Sequence, residues 1–117
     1  MPGTTQQILD HHLKAFGEGD LEGILEDYTD KSLLFTPDGV LHGPGEMRGL
    51  FEAFFAEFAK PGASFEMKKQ IVEGETAYIV WSAETADNVY ELATDTFIVR
   101  DSKIVTQTFA GKLVPKG

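Results

Sequence analysis

Cysteine is absent from the 117-residue chain, which removes disulfides, thiolate nucleophiles and cysteine-ligated zinc together. Basic residues are scarce: 10 Lys and Arg stand against 19 Asp and Glu, for a formal charge of −9. A surface of that sign repels a phosphate backbone and lacks the polybasic patch that anionic membranes attract. Only scattered pairs such as Lys68-Lys69 occur, so neither nucleic acid nor membrane is an expected partner. Apolar runs last a few residues, far short of the roughly 20 needed to cross a bilayer. The opening Met1-Pro2-Gly3-Thr4-Thr5 has no basic region and no long apolar stretch; no signal peptide is expected, and the expected location is cytoplasmic. His11, His12 and His42 show neither H-x-H nor H-E-x-x-H spacing, so no metal site is expected. The glycines form no G-x-G-x-x-G or phosphate loop, and no cofactor is expected.

Hydrophobic residues make up 42% of the chain and charged residues 25%, enough for one globular domain over residues 1–117 with one core. Thr4-x-x-Gln7 has the form of a capping box, and Ile8, Leu9, His12, Leu13 and Phe16 then recur at helical spacing until Gly17. Asp20 is a good N-cap for a second helix carrying Leu21, Ile24, Leu25 and Tyr28 on one stripe. Leu33 to Thr36 reads as a short strand, turned by Pro37-Asp38-Gly39 into Val40 to His42. Pro44 suits the first position of a third helix, with Met47, Leu50, Phe51, Phe54 and Phe58 along one side and Lys60-Pro61-Gly62 as its end.

From Ser64 onward the period changes to that of strands: Phe65–Glu73, Thr76–Glu84, Val89–Val99 and Lys103 to about Leu113, separated by polar turns. Helices first and a meander of long antiparallel strands afterwards predict an α+β fold. The strands are apolar on both faces, Tyr78 and Val80 alternating with Ile79 and Trp81. A sheet covered on one side would alternate more cleanly, so the outer face is expected to meet a second copy in a two-fold homodimer. The plainer reading makes the extra residues strand-formers on a partly wet surface.

The segment Ala15-Phe16-Gly17-Glu18-Gly19-Asp20-Leu21-Glu22-Gly23-Ile24 resembles the junction of the first two helices in ketosteroid isomerases and SnoaL-like polyketide cyclases. Tyr28-Thr29-Asp30, His42-Gly43-Pro44-Gly45 and Asp95-Thr96-Phe97 ahead of Lys103-Ile104 follow in the same order. The resemblance spans about residues 5–113. It implies the NTF2-like cone, three N-terminal helices packed on a curved antiparallel sheet around a pocket for a small apolar ligand. Its motifs are specific for the fold and weak for activity, because the scaffold hosts several chemistries. Aligned on Gly19-Asp20, the isomerase's general base falls on Thr36, its oxyanion tyrosine on His12 and its neutral aspartic acid on Asp95. A threonine cannot serve as that base near neutral pH, so ketosteroid isomerisation itself is not expected. The Asp-Arg-Asp relay of epoxide hydrolases on this fold would need Arg48 or Arg100, and neither is placed for it. SnoaL-type cyclases, similar in needing one acidic residue on this part of the sheet, leave that role to Asp95.

Asp95 shares a strand face with Ala93, Phe97 and Val99. A carboxyl among apolar neighbours is costly to ionise and is thereby suited to donate a proton. His12, one turn from Ile8 and Phe16, is the expected acid–base partner, while His11 is expected at the surface and His42 in loop or capping duty. Tyr28, Thr36, Phe54, Phe58, Trp81, Phe97 and Phe109 are the expected pocket wall, although most rings of that kind serve simply as core. Three readings stand side by side. The first is a cofactor-independent isomerase, cyclase or lyase acting on a mostly apolar carbonyl compound, with Asp95 and His12 as its catalytic groups. The second is a non-catalytic binding or dimerisation module for a hydrophobic ligand or partner. The third is a scaffold whose cone is filled by its own side chains, leaving no cavity of about 300 Å³.

Overall fold

Thr4 closes the capping box: its hydroxyl accepts from the Gln7 N–H, and the Gln7 side chain accepts from the Thr4 N–H. From there the computed structural model, which describes residues 3–116, carries helix α1 over Thr5–Glu18. Met1, Pro2 and Gly117 of the expected domain lie outside the described residues. The helix runs past Gly17 and stops at Gly19, whose φ of 67° is left-handed. A glycine tolerated in helical conformation does not end a helix; one that must turn left-handed does. Asp20 then caps the short helix α2, Leu21–Leu25, by accepting from the Gly23 N–H.

Strand β1 spans Tyr28–Thr36 and β2 spans Gly39–His42, paired antiparallel. Tyr28 therefore opens a strand instead of extending the α2 stripe, and β1 begins five residues before the expected Leu33. The cause is tertiary: Tyr28 pairs with Ile104 across the sheet, a partner 76 positions away that no local pattern announces. Helix α3, Gly43–Ala59, follows. Gly43 has a φ of 74°, and a Cβ there would come within 2.9 Å of the Asp30 carbonyl oxygen, so only glycine fits.

Strands β3 (Ser64–Glu73), β4 (Thr76–Glu84), β5 (Asn88–Arg100) and β6 (Lys103–Pro115) complete one sheet in the order β2-β1-β6-β5-β4-β3. The meander is antiparallel as expected, but β1 runs parallel to β6, so the sheet is mixed. Two chain segments separated by one helix and four strands are free to align either way, and strand alternation carries no sign of direction. Register shifts at Met67/Lys69, Trp81/Ala83 and Tyr90/Leu92 interrupt the ladders; such bulges bend a sheet, and this one is curved and unclosed. The helices lie in its hollow. One hydrophobic cluster joins Leu9, Ile24, Leu34, Met47 and Phe51 to Ile79, Trp81, Phe97 and Ile104 on the sheet. No helix is long and apolar enough to cross a membrane among the described residues.

Candidate functional site

Between α1, α3 and the inner face of the sheet lies a cavity of about 530 Å³, within the range of small-molecule sites. The cone is therefore not filled by its own side chains, contrary to the scaffold reading. Its inner end is walled by buried His12, Leu34, Phe51, Ile79, Asp95 and Phe97, whereas Gly17, Ala63, Ser64, Phe65 and Gln70, all exposed, mark its mouth. The wall between is aromatic. Trp81 lies nearly parallel to Phe109, at 6.1 Å and 21°, and packs on Phe65 at 5.4 Å; Phe54 meets Phe109 edge-on. Flat faces of this kind suit a flat apolar ligand.

Asp95 is the acidic group of this wall, projecting inward from β5 because Ala93, Asp95, Phe97 and Val99 alternate on the buried face. Oδ1 accepts from Trp81 Nε1 at 2.8 Å, and Oδ2 accepts from Gln107 Nε2 at 2.9 Å. The Gln107 carbonyl in turn accepts from the Tyr28 hydroxyl. Burial pushes the Asp95 carboxyl above its ordinary value; the two donated hydrogen bonds and the nearby His12 pull the other way and do not cancel it. The Tyr28 phenol is pushed well above its ordinary value too, first by burial and then by the charges of Asp95 and Asp27. Each Asp95 oxygen holds one donor and keeps a second lone-pair direction, where a proton could sit.

His12 lines the cavity from α1, with its ring edge-on to Phe97 at 5.1 Å and to Tyr28 at 5.9 Å. Its nearest carboxylate is Asp27, not Asp95: Nδ1 of His12 lies 3.4 Å from Asp27 Oδ2. The other Asp27 oxygen accepts from Nδ1 of exposed His11 at 2.7 Å.

Of the expected wall, Phe54, Phe58, Trp81, Phe97 and Phe109 line the cavity, with His12 and Asp95. Thr36 and Tyr28 do not. Thr36 sits at the far end of β1, bonding the Gly39 carbonyl across the β1–β2 turn. Tyr28 is packed beneath the wall, its ring against His12 and Phe51 and its hydroxyl on Gln107. His42 pairs with Glu46 at the start of α3; Arg48 and Arg100 form exposed pairs with Glu22 and Glu75, away from the cavity. Gln107 and Asp27 escaped the sequence reading. Gln107 was findable, since it stands two residues before Phe109 on one strand face. Asp27 had no local signal, because it meets the histidines only once α2 folds back on α1.

The SnoaL-like domain family is matched over residues 9–107. Among curated proteins, none matches. Solved structures similar in fold include SalBIII, an epoxide hydrolase/cyclase-like enzyme with a role in pyran ring formation in polyether salinomycin: 17% identity, 92% of this chain and 90% of that chain covered, TM-score 0.76. An NTF2-like protein of unknown function from Mesorhizobium loti is 24% identical, with 92% and 90% covered and a TM-score of 0.77. TerC, co-crystallised with polyporic acid, is 15% identical, with 92% and 91% covered and a TM-score of 0.72.

Proposed function

The chain belongs to the SnoaL-like domain family, and we propose that it is a cofactor-independent small-molecule enzyme of isomerase, cyclase or lyase type. Its substrate is a mostly apolar carbonyl compound held in the cone. Asp95 acts as the acid and His12 as its partner, with Phe54, Phe58, Trp81, Phe97 and Phe109 as the binding wall. The carrying observation is a buried carboxyl, raised by desolvation, that faces an aromatic cavity with one hydrogen bond on each oxygen. A neutral Asp95 donates to the substrate carbonyl while His12 takes a proton from the neighbouring carbon. The resulting enol either regains that proton at another carbon or attacks an electrophile in the same molecule. Thr36, which is not among the residues lining the cavity, supports the departure from ketosteroid isomerisation. The working unit in this proposal is a homodimer joined through the outer sheet face.

A panel of enolisable, mostly apolar ketones in D2O tests the reading, with deuterium uptake followed by mass spectrometry. The wild-type protein is expected to exchange at least one member. Asp95→Asn should lower that rate about 10²- to 10⁴-fold, the usual worth of a placed acid, with an unchanged far-UV circular dichroism spectrum. Unchanged turnover in Asp95→Asn would dispose of the mechanism. A binding module, by contrast, would show no exchange in the wild type and equal ligand affinity in the variant.

A further inference from the structure

His11, Asp27 and His12 form a file from solvent to the cavity wall. His11 is about half exposed, while the Asp27 and His12 side chains are 5% and 4% exposed. Neighbouring residues on a helix point about 100° apart, so one histidine faces water and the other the cavity. A single acid set against the flank of α1 meets both. Asp27 occupies that place because its N–H bonds the Ile24 carbonyl and its carbonyl accepts from the Ile104 N–H, which ties it between α2 and β6. His11 holds Oδ1. Asp27 Oδ2 and His12 Nδ1 are both buried, and neither has another hydrogen-bond partner among the described residues. They lie 3.4 Å apart, close to but outside hydrogen-bond geometry. Two buried polar atoms left unpaired are each costly, and a proton on Nδ1 would let them close on one another.

We propose that Asp27 is a positioning residue for His12: its carboxylate keeps the imidazole proton on Nδ1, leaving Nε2 as the unprotonated nitrogen for the cavity. His11 anchors the carboxylate from the solvent side. The use of this arrangement in turnover rests on the acid–base reading above. In that use, Nε2 takes the proton from the carbon beside the substrate carbonyl, and the C–H electron pair moves into the enol. The imidazolium that forms keeps its Nδ1–H on the Asp27 carboxylate, and Nε2 returns the same proton to the product carbon. No electron leaves the system and no co-reactant is consumed. A carboxylate that orients and stabilises an imidazolium in this way does not itself take up the proton.

The test needs no substrate. Long-range ¹H–¹⁵N correlation spectra of the labelled, full-length protein report the tautomer of each neutral histidine, and His11→Gln and His42→Gln assign the His12 signals by elimination. His12 is expected as the Nδ1–H form in the wild type. In Asp27→Asn and Asp27→Leu at least half of that population should pass to Nε2–H. An Nε2–H tautomer in the wild type overturns the proposal, whether or not the variants fold. A tautomer unmoved in folded Asp27 variants overturns it equally. A failed deuterium exchange with the Nδ1–H form present would instead sink the enzyme reading and leave the positioning of His12 standing.

Discussion

At Asp95 two effects oppose each other. Removal from water raises the cost of its charge, and donors from Trp81 and Gln107 with a nearby histidine recover part of that cost. The balance has a measurable sign. Unfolded, the group titrates at about pH 4; folded, it titrates higher. Below the unfolded value both states are neutral there and the group costs nothing. As pH rises toward and through the folded value the native state binds more protons than the unfolded one, so stability falls. Urea unfolding of wild type and Asp95→Asn at steps between about pH 4 and pH 8 isolates this contribution. The difference should move against the wild type as pH rises; a pH-independent difference would mean that the carboxyl is not held away from water.

Among the elements, the α1–α2 corner decides most about the site. Gly19 turns the chain, Asp20 starts α2, and the resulting fold-back carries Asp27 to the histidines of α1. Asp20→Ala removes the acceptor of the Gly23 N–H and should cost about 1 kcal/mol of folding stability by chemical denaturation. Gly23→Ala bears on the same corner, because a Cβ there would lie 2.2 Å from Asp20 Oδ2. The added methyl gains about 1 kcal/mol of helix propensity and displaces the cap, so the variant should be near neutral in the wild type and stabilising in Asp20→Ala. A double-mutant cycle reads that coupling.

For the whole molecule, the sheet has one face over the helices and one that, among the described residues, has no cover. Ile71, Tyr78 and Leu92 stand on that outer side, 48%, 37% and 49% exposed. In the proposed homodimer these residues are buried against a second copy, as exposed apolar patches often are. Sedimentation velocity at micromolar concentration should give a dimer for the wild type and a monomer for Tyr78→Glu/Leu92→Asp, with the fold retained. A monomeric wild type would return these side chains to the role of strand-formers on a wet surface.

What the sequence determined by itself was everything carried by local spacing: the capping box at Thr4, the α3 phenylalanine stripe, the four-strand meander, and the inward parity of Asp95 with Phe97. The order of junction motifs carried the family as well. Only the tertiary structure decided which way β1 runs beside β6, that Tyr28 and Thr36 leave the cavity wall, and that Asp27 rather than Asp95 is the nearest carboxylate to His12. The physical reason is one of range. Helix and strand periods act over a few residues and declare themselves in composition, whereas these outcomes join residues 15 to 79 positions apart, where burial and hydrogen-bond satisfaction in the packed chain choose the partner.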